Sequence, residues 1–333
     1  MLNTKGKLAF ITPNKWVSIG YGKKLRELYF DNFTQVCDCS SIKVFEAGNE
    51  PLICFFDKVK TSSIRVWKAF SDKFVQVDNV SKTRVSNDSL GMLLSRQMDL
   101  LLKVCKAERT VADFSKAENP FTTSEAYELC PYVKEITAIN QSYYILVNTG
   151  TIDPFVTLWG RKTTSYLKSK YANPVVTKND FASAFPRRVR QTASKIVITG
   201  MRYFEAYYDN EGKCIAGKST IIIPQNDCDE QDMIYLLAIL NAKIIQYYIN
   251  QSYSALGIDG GINFSVDIVN ALPIPLATAN EKKAIVECTN ILLRTKKANP
   301  LADTSALEAE IDRLVYDLYG LTEDEIAIVE GTN

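Results

Sequence analysis

Histidine is absent from all 333 residues of the sequence. Its absence excludes serine and cysteine triads that use a histidine base, HExxH zinc sites and nucleases whose metal is held by histidine. The eight cysteines include no CxxC pair, and Cys37 and Cys39 lack two further zinc ligands at compatible spacing. We therefore expect reduced thiols that serve as packing residues, and no bound metal.

Long hydrophobic runs are also missing. The first apolar run, 8–12, is too short for the core of a signal peptide. The longest apolar stretch, 233–249, is interrupted by Asn241 and Lys243 and is shorter than the roughly 20 residues that cross a bilayer. The sequence thus predicts a cytoplasmic protein.

Net charge is only +1, but the charge is unevenly distributed. Between positions 160 and 202 there are ten cations and one acid, Asp180. The cations are Arg161, Lys162, Lys168, Lys170, Lys178, Arg187, Arg188, Arg190, Lys195 and Arg202. From Leu301 onward, acids outnumber bases nine to one. This pattern favours a polyanionic partner, nucleic acid first, with the acidic end turned away from it.

Aromatic residues are interleaved with these cations: Trp159, Tyr166, Tyr171, Phe181 and Phe185. A surface that neutralises phosphates and also stacks on bases combines both residue types. The alternative is a solvated loop whose acidic counterparts come from elsewhere in the fold.

The amino-terminal apolar pattern predicts part of a doubly wound α/β sheet. Residues 8–12 indicate a strand buried on both faces of a parallel sheet, and 21–30 indicate a helix with Arg26 on its polar side. Strands follow at 42–45 and 52–56. No glycine-rich turn precedes them, so the front half of a nucleotide-binding sheet is missing. Residues 60–89 are predicted to be irregular.

Farther along the chain, helix and strand signals mix, which predicts an α+β region followed by a helical tail. A helix is expected at 91–107. The later strand signals lie at 143–147, 195–199, 203–208 and 220–223. Helices are expected at 233–250 with Asp232 as its cap, at 281–296, from a capping box at Ser305 to Gly320, and from Thr322 onward.

Two motifs offer catalytic alternatives that their context does not support. Residues 212–219 match GxxxxGK[ST], but a phosphate-binding loop needs a helix after it, and a β-branched run ending at Pro224 follows here. A hairpin between two strands is the better interpretation. The triplets Glu211-Gly212-Lys213 and Glu281-Lys282-Lys283 match a nuclease ExK, without a partner aspartate on a preceding strand.

Several segments, in order, resemble adenine-specific DNA methyltransferases of the TaqI type. These are 6–16 with 22–26, 41–47, 147–155 with 158–160, 195–219, 235–248 with 272–275, and 307–325. The resemblance implies three domains: 1–85 as the carboxyl-terminal remnant of a Rossmann-like methyltransferase domain, 86–276 as a DNA target recognition domain, and 277–333 as a helical segment. The fold would be a partial doubly wound methyltransferase sheet followed by a mixed α+β specificity domain and a helical tail.

The same resemblance implies sequence-specific recognition of double-stranded DNA within an N6-adenine methyltransferase of a restriction-modification system. The S-adenosylmethionine loop and the Asn-Pro-Pro-Tyr motif of the family would lie before Met1, so this chain is expected to bind no cofactor and to lack catalysis alone. Phe45 would stack on the flipped base, or else be an ordinary core phenylalanine. The candidate DNA-binding residues are Arg161, Lys162, Lys168, Lys170, Arg187, Arg188, Arg190 and Arg202.

Two other functions stay open at this point. One is a subunit of an active methyltransferase or nuclease that is completed by another chain. That other chain would carry, for example, the missing catalytic methyltransferase portion. The other is a protein-interaction scaffold whose cations are balanced by acids of the tail.

Overall fold

The chain folds as two units, each with its own sheets. The computed structural model describes residues 3, 5–18, 20–46, 50–226, 228–253, 257–258 and 261–332. The first unit contains Met1–Lys106 and Tyr248–Gly257, and the second contains Ala107–Tyr247 and Ile258–Asn333. The three domain ranges inferred from the sequence stay predictions, and the structure groups the residues by these two units.

The first unit is built on one sheet with strand order β1-β3-β2-β4-β5. Its elements are β1 (Lys7–Pro13), α1 (Lys23–Tyr29), β2 (Phe33–Asp38), β3 (Pro51–Asp57), β4 (Ser63–Ala69), β5 (Phe74–Ser81) and α2 (Met98–Cys105). Only the β2–β4 pair is parallel among these described neighbours. The sheet is therefore mixed, and its identity as part of a methyltransferase sheet stays a prediction.

Several expectations for this unit are confirmed and others are wrong. The helix expected at 21–30 is confirmed by α1, and the strand expected at 52–56 is confirmed by β3. The strand at 8–12 is not buried on both faces, because β1 lies at the edge of the sheet and pairs antiparallel with β3, leaving Phe10 37% exposed. No strand forms at 42–45.

The region 60–89 is not irregular, since it forms β4 and β5. Polar residues such as Arg65 alternate in β4 with buried Ile64 and Val66, which is the pattern of a half-buried strand, so the polar composition of this region was a misleading guide. The prediction that Arg26 lies on the polar side of its helix is also wrong. It is buried, and its guanidinium donates to the Trp16 carbonyl at 2.6 Å and to the Asn87 carbonyl at 2.7 Å.

The second unit contains several small sheets and most of the helices of the described chain. Its strands are β6 (Arg109–Thr110), β7 (Lys134–Glu135), β8 (Tyr143–Val147), β9 (Ile152–Asp153), β10 (Val156–Thr157), β11 (Thr164–Tyr166), β12 (Ser169–Tyr171), β13 (Pro174–Thr177), β14 (Lys195–Thr199), β15 (Met201–Arg202), β16 (Ala206–Asp209), β17 (Cys214–Ala216), β18 (Thr220–Pro224), β19 (Gly257–Ile258), β20 (Gly261–Asn263) and β21 (Pro273–Ile274). Of β19, only Ile258 is assigned to this unit, since Gly257 is the last residue of the first. The helices after α2 are α3 (Val111–Phe114), α4 (Thr123–Leu129), α5 (Lys178–Ala184), α6 (Glu230–Asn241), α7 (Lys243–Ser252), α8 (Val266–Asn270), α9 (Ala279–Ala298), α10 (Ser305–Tyr319) and α11 (Glu323–Glu330).

One sheet of this unit, ordered β17-β8-β13-β7, is buried on both faces around β8. Successive strand residues point to opposite faces, so Leu146 enters one hydrophobic cluster and Val147 enters another. Ile215 of β17 joins the first cluster, and its neighbours Cys214 and Ala216 join the second. The two clusters hold β8 rigidly, which fixes the loop that follows it.

The expected interleaving of exposed aromatic residues with cations is wrong for three residues. Tyr166, Phe181 and Phe185 are buried in the cluster around Leu146, and the Tyr166 hydroxyl donates to the Ala126 carbonyl at 2.9 Å. Burial raises the pKa of Tyr166 well above its ordinary value. These rings stabilise the core and do not form a stacking surface.

The motif at 212–219 does not form a phosphate-binding loop. Strand β18 follows it, and no helix begins there. The hairpin interpretation is also wrong, because β17 pairs parallel with β8 while β16 and β18 belong to the sheet ordered β16-β14-β18. Gly212 has a φ of +62°, which glycine adopts without strain.

The capping signals of the carboxyl-terminal helices are confirmed only in part. The capping box expected at Ser305 does not form, because Ser305 is the first helical residue of α10 and the N-cap before it, Thr304, makes no side-chain capping hydrogen bond. Gly320 ends α10 in the left-handed conformation, and Thr322 with Glu325 forms the expected capping box of α11. The helix expected at 233–250 is split at Ala242, and Asp229 caps α6 in place of Asp232. No helix of the described chain has the length and apolar character needed to cross a bilayer.

Candidate nucleic-acid interface

A polar turn directly after β8, residues 148–151, holds together four loops of the second unit. We call it the Asn148 turn. The Asn148 side-chain NH2 group donates to the Ser165 carbonyl at 2.7 Å, and its side-chain oxygen accepts from the Ser219 backbone amide at 3.2 Å. The Thr149 hydroxyl accepts from the Gly200 backbone at 3.2 Å. One short turn therefore fixes backbone positions far apart in sequence.

A fourth loop is tied to the other end of the turn. The Leu158 amide donates to the Thr151 carbonyl at 2.8 Å, and the Thr157 hydroxyl donates to the same oxygen at 3.0 Å. Leu158 in turn accepts from Arg161 and Lys162, each at 2.9 Å, which closes a tight turn around Gly160.

Each of these loops carries a cation. Arg161 and Lys162 follow Leu158, Lys168 and Lys170 lie in the β11–β12 hairpin that begins near Ser165, Arg202 follows Gly200, and Lys218 precedes Ser219. Arg161, Lys168, Lys170 and Arg202 are exposed. The Asn148 turn thus gathers positive charge from four loops into one region of the unit, as binding to a polyanion requires.

Gly217 allows one of these loops to approach the turn closely. Its amide donates to the Val147 carbonyl at 2.7 Å, and a Cβ at this position would lie 2.7 Å from the Asn148 side-chain oxygen. Only glycine fits without displacing Asn148.

We expect Gly217→Ala to lower the free energy of unfolding by about 1–3 kcal/mol, because the added methyl group pushes Asn148 away from Ser219. Urea denaturation followed by circular dichroism measures this. Gly150→Ala is the matched control, since nothing lies within 4 Å of the Cβ that it would add. Equal stability of the two variants would contradict the proposed close contact.

The arginines at 187–190 differ sharply in their surroundings. Arg188 binds both oxygens of Glu125, with one N···O distance of 3.0 Å, and holds the pKa of Glu125 down to about 2. Arg190 lies 3.3 Å from Glu118. Arg187 is exposed and has no ion pair within the described part of the chain. The alternative of a solvated loop is thus confirmed for Arg188 and Arg190, whose acidic partners come from outside the basic segment.

Other cations of the segment are also engaged. Lys162 pairs with Asp153 at 2.9 Å, and Lys178 lies 5.2 Å from the centre of the Tyr144 ring. Lys195 is fully buried against Asp209 at 2.7 Å and is inaccessible to any ligand. Among the described residues, the exposed segment cations that form neither an ion pair nor a contact with an aromatic ring are Arg161, Lys168, Lys170, Arg187 and Arg202.

Two turns that carry these cations have unusual backbone geometry. Leu167 has a φ of +50° as the first of two residues in the β11–β12 hairpin loop, a position normally taken by glycine. Arg202 has a φ of +71°. Side chains other than glycine rarely adopt these angles, and such strain is concentrated at functional sites in folded proteins.

Phe45, the candidate for stacking on a flipped base, lies in the first unit and is 49% exposed. It is therefore not an ordinary core phenylalanine. Its role in base stacking stays a prediction.

Glu205 introduces a titratable group near these loops. Its pKa is raised to about 7, chiefly by burial and also by the charge of Asp153, while Lys162 opposes the shift. Because the unfolded state ionises near 4.5, folding is progressively disfavoured as the pH rises from about 4.5 to about 7.

We expect Glu205→Gln to remove this part of the pH dependence. The free energy of unfolding of the variant, minus that of the unmutated protein, should therefore be more positive at pH 8 than at pH 5. Urea denaturation at both pH values measures the difference, with the exposed Glu128→Gln as control. A wild-type and a Glu205→Gln curve that run parallel from pH 5 to pH 8 would contradict the assignment.

Sequence reasoning singled out 147–155 without giving Asn148 a role. The available signal was an apolar strand followed by Asn-Thr-Gly-Thr, which is typical of turns stabilised by side-chain-to-backbone hydrogen bonds. Its four partner loops could not be read from the sequence.

Comparison with known proteins identifies the region that contains these loops. Residues 149–274 match the family model described as the TaqI-like C-terminal specificity domain. Among solved structures, the chain is similar to the Type IIL restriction-modification enzyme MmeI in complex with DNA, with a TM-score of 0.52 and 12% identity over 99% of this chain and 50% of that one. It is also similar to the type IIG restriction endonuclease BpuSI, with a TM-score of 0.39 and 10% identity over 96% of this chain and 48% of that one.

The chain thus spans about half the length of these solved proteins. None of the curated proteins matches it significantly. The family match confirms the expected resemblance to a TaqI-like specificity domain.

Proposed function

We propose that this chain, in which residues 149–274 form a TaqI-like C-terminal specificity domain, recognises a specific sequence of duplex DNA within a restriction-modification enzyme. The observation that carries the proposal is the Asn148 turn, which brings cations from four loops together. Phosphate contacts from exposed lysine and arginine side chains set affinity and register, and a few side chains then contact base edges.

The division between recognition and chemistry is part of the same proposal. Methylation of adenine N6 with S-adenosylmethionine would be performed by a methyltransferase portion outside residues 1–333. The first unit would contribute the end of that portion's sheet, with Phe45 stacking on the extruded adenine. The limited span of the chain along MmeI, a DNA-bound restriction-modification enzyme, supports this division.

The scaffold alternative receives less support. It expects the basic segment to be balanced by the acidic tail, yet the carboxylates that pair with Lys162, Arg188 and Arg190 are Asp153, Glu125 and Glu118.

Duplex binding tests the proposal directly. We expect fluorescence anisotropy to give an affinity for duplex DNA that falls linearly in a log–log plot between about 50 and 200 mM salt, and selection from a random duplex pool to enrich one short sequence. Heparin serves as the control for nonspecific polyanion binding. Binding without enrichment of any sequence, or no binding, would refute sequence-specific recognition.

Isothermal titration with S-adenosylmethionine tests the division of labour. We expect no binding heat from residues 1–333 alone, because the cofactor would be held by that separate portion. A saturable signal at micromolar concentration would show that the cofactor site lies on this chain and would favour an active methyltransferase.

A further inference from the structure

Tyr203 is a strongly exposed side chain of the candidate interface, and the positive charge of the surrounding loops does not explain its exposure. It is 74% exposed, whereas the next residue, Phe204, is 2% exposed. A large aromatic ring held in water has a hydrophobic cost, and in a folded protein it often marks a contact surface. The ring directly follows Arg202, which is exposed and carries the positive φ.

The backbone on the amino-terminal side of Tyr203 is firmly held. Met201 and Arg202 pair with Asn263 and Ile262 in the β15–β20 ladder. The Gly200 carbonyl accepts from the Phe264 amide at 2.9 Å, and the Gly200 amide donates to Ser219 at 3.0 Å as well as to Thr149.

The carboxyl-terminal side is held equally well. The Thr199 hydroxyl donates to the Tyr203 carbonyl and accepts from the Glu205 amide at 3.0 Å. Phe204 packs edge-on against Phe264 at 5.1 Å between ring centres, and the side-chain Nε2 of Gln246 donates to the Phe204 carbonyl. The turn is therefore rigid while the two side chains at its tip remain free.

Base recognition requires this combination of a rigid backbone, an arginine with strained φ and an exposed aromatic ring. An arginine in fixed orientation donates two hydrogen bonds to the O6 and N7 atoms of guanine, and a loosely mounted one loses that selectivity. An aromatic ring beside it contributes stacking or wedging against a base, which is insensitive to charge.

We propose that the Arg202–Tyr203 tip is the base-contacting element of the domain, with Arg202 reading a guanine and Tyr203 stacking against the adjacent base. This inference rests on the proposed function and goes beyond it by separating two residues that read bases from the cations that bind phosphates. Arg161, Lys168, Lys170 and Arg187 belong to the second group.

The test uses the full chain and the sequence that it selects from a random duplex pool. Arg202→Lys keeps the charge but loses the bidentate geometry, so discrimination against substitution of one G·C pair should fall about 5- to 150-fold with an unchanged salt slope. Tyr203→Ala should weaken binding about 5- to 150-fold, also with an unchanged slope, whereas Tyr203→Phe should bind like the unmutated chain.

Tyr127→Ala, which removes another exposed tyrosine of the second unit, is the matched control and should leave affinity unchanged. Thermal melting checks that each variant folds. Unaltered affinity and unaltered selected sequence in both Arg202→Lys and Tyr203→Ala would overturn the inference while leaving the proposed function intact. Failure of the unmutated chain to bind or select duplex DNA would overturn both.

Discussion

Replacing Arg161, Lys168, Lys170 and Arg187 together by alanine should reduce affinity for duplex DNA on the order of a thousandfold at 0.1 M salt. Each phosphate contact contributes about 0.9 to the slope of log affinity against log salt, so the loss of four should flatten that slope by about 3.6. The residues are chosen because they are exposed and form no ion pair in the described part of the chain.

A second quadruple variant separates local contacts from net charge. Lys116, Lys283, Arg294 and Lys297 are exposed cations of the same unit outside the basic segment. Lys283 and Lys297 pair with Glu287 and Glu211, but both pairs are exposed and screened by solvent, so they contribute little. Their replacement by alanine lowers net charge equally but should alter the slope by much less. Similar slopes for the two variants, measured by anisotropy over a salt series, would mean that overall charge drives binding and that these loops do not contact DNA.

Arg188 and Arg190 are left out of the first variant because each already has a carboxylate partner. Removing Arg188 would free Glu125, whose pKa is held near 2 only by that contact and by its capping hydrogen bonds. A loss of affinity in such a variant would mix a lost phosphate contact with a new negative charge, so it could not be read as a phosphate contact alone.

Lys195→Met should lower the free energy of unfolding by about 3–5 kcal/mol. The Lys195 side chain has no exposed surface and lies 2.7 Å from Asp209, whose side chain is 7% exposed. Methionine fills a similar volume but leaves the Asp209 carboxylate buried without its cation, while the Lys213 and Cys214 amides continue to donate to it. Chemical denaturation followed by tryptophan fluorescence measures the change.

The exposed pair of Lys134 and Asp180, 3.1 Å apart in the same unit, supplies the control. Lys134→Met should cost less than about 1 kcal/mol, because solvent screens that pair. The double variant Lys195→Met with Asp209→Asn should recover part of the loss, since no uncompensated charge then remains. A Lys195→Met cost equal to that of Lys134→Met would show that the buried pair contributes little.

Local chemistry was predictable from the sequence where it acts over a few residues. Thr322 and Glu325 form the expected capping box, and Gly320 ends α10 as expected, because both features depend only on neighbouring backbone groups. The apolar strands β8, β14 and β18 were found for a similar reason, since their continuous hydrophobic runs report burial directly.

Features that depend on tertiary contacts were harder to predict. Phe181 and Phe185 were assigned to a surface because cations surround them in sequence, although their spacing of four residues places them on one side of the helical segment, and both are buried. The Asn148 turn depends on the approach of four loops, which no local pattern encodes. Arg188 and Lys195 lie among cations in the sequence, but their partners Glu125 and Asp209 are supplied by the fold.

The Asn148 turn also has an evolutionary consequence. It fastens the loops by hydrogen bonds that mostly use main-chain atoms of the partner residues, so the side chains at 168, 202 and 203 can change without disturbing those attachments. Variation at these outward positions would leave both hydrophobic clusters around β8 intact. Under the proposed function, a lineage of such domains can therefore acquire new DNA targets by exchanging a few outward residues on an inherited framework, and the same positions are the natural choice for laboratory diversification.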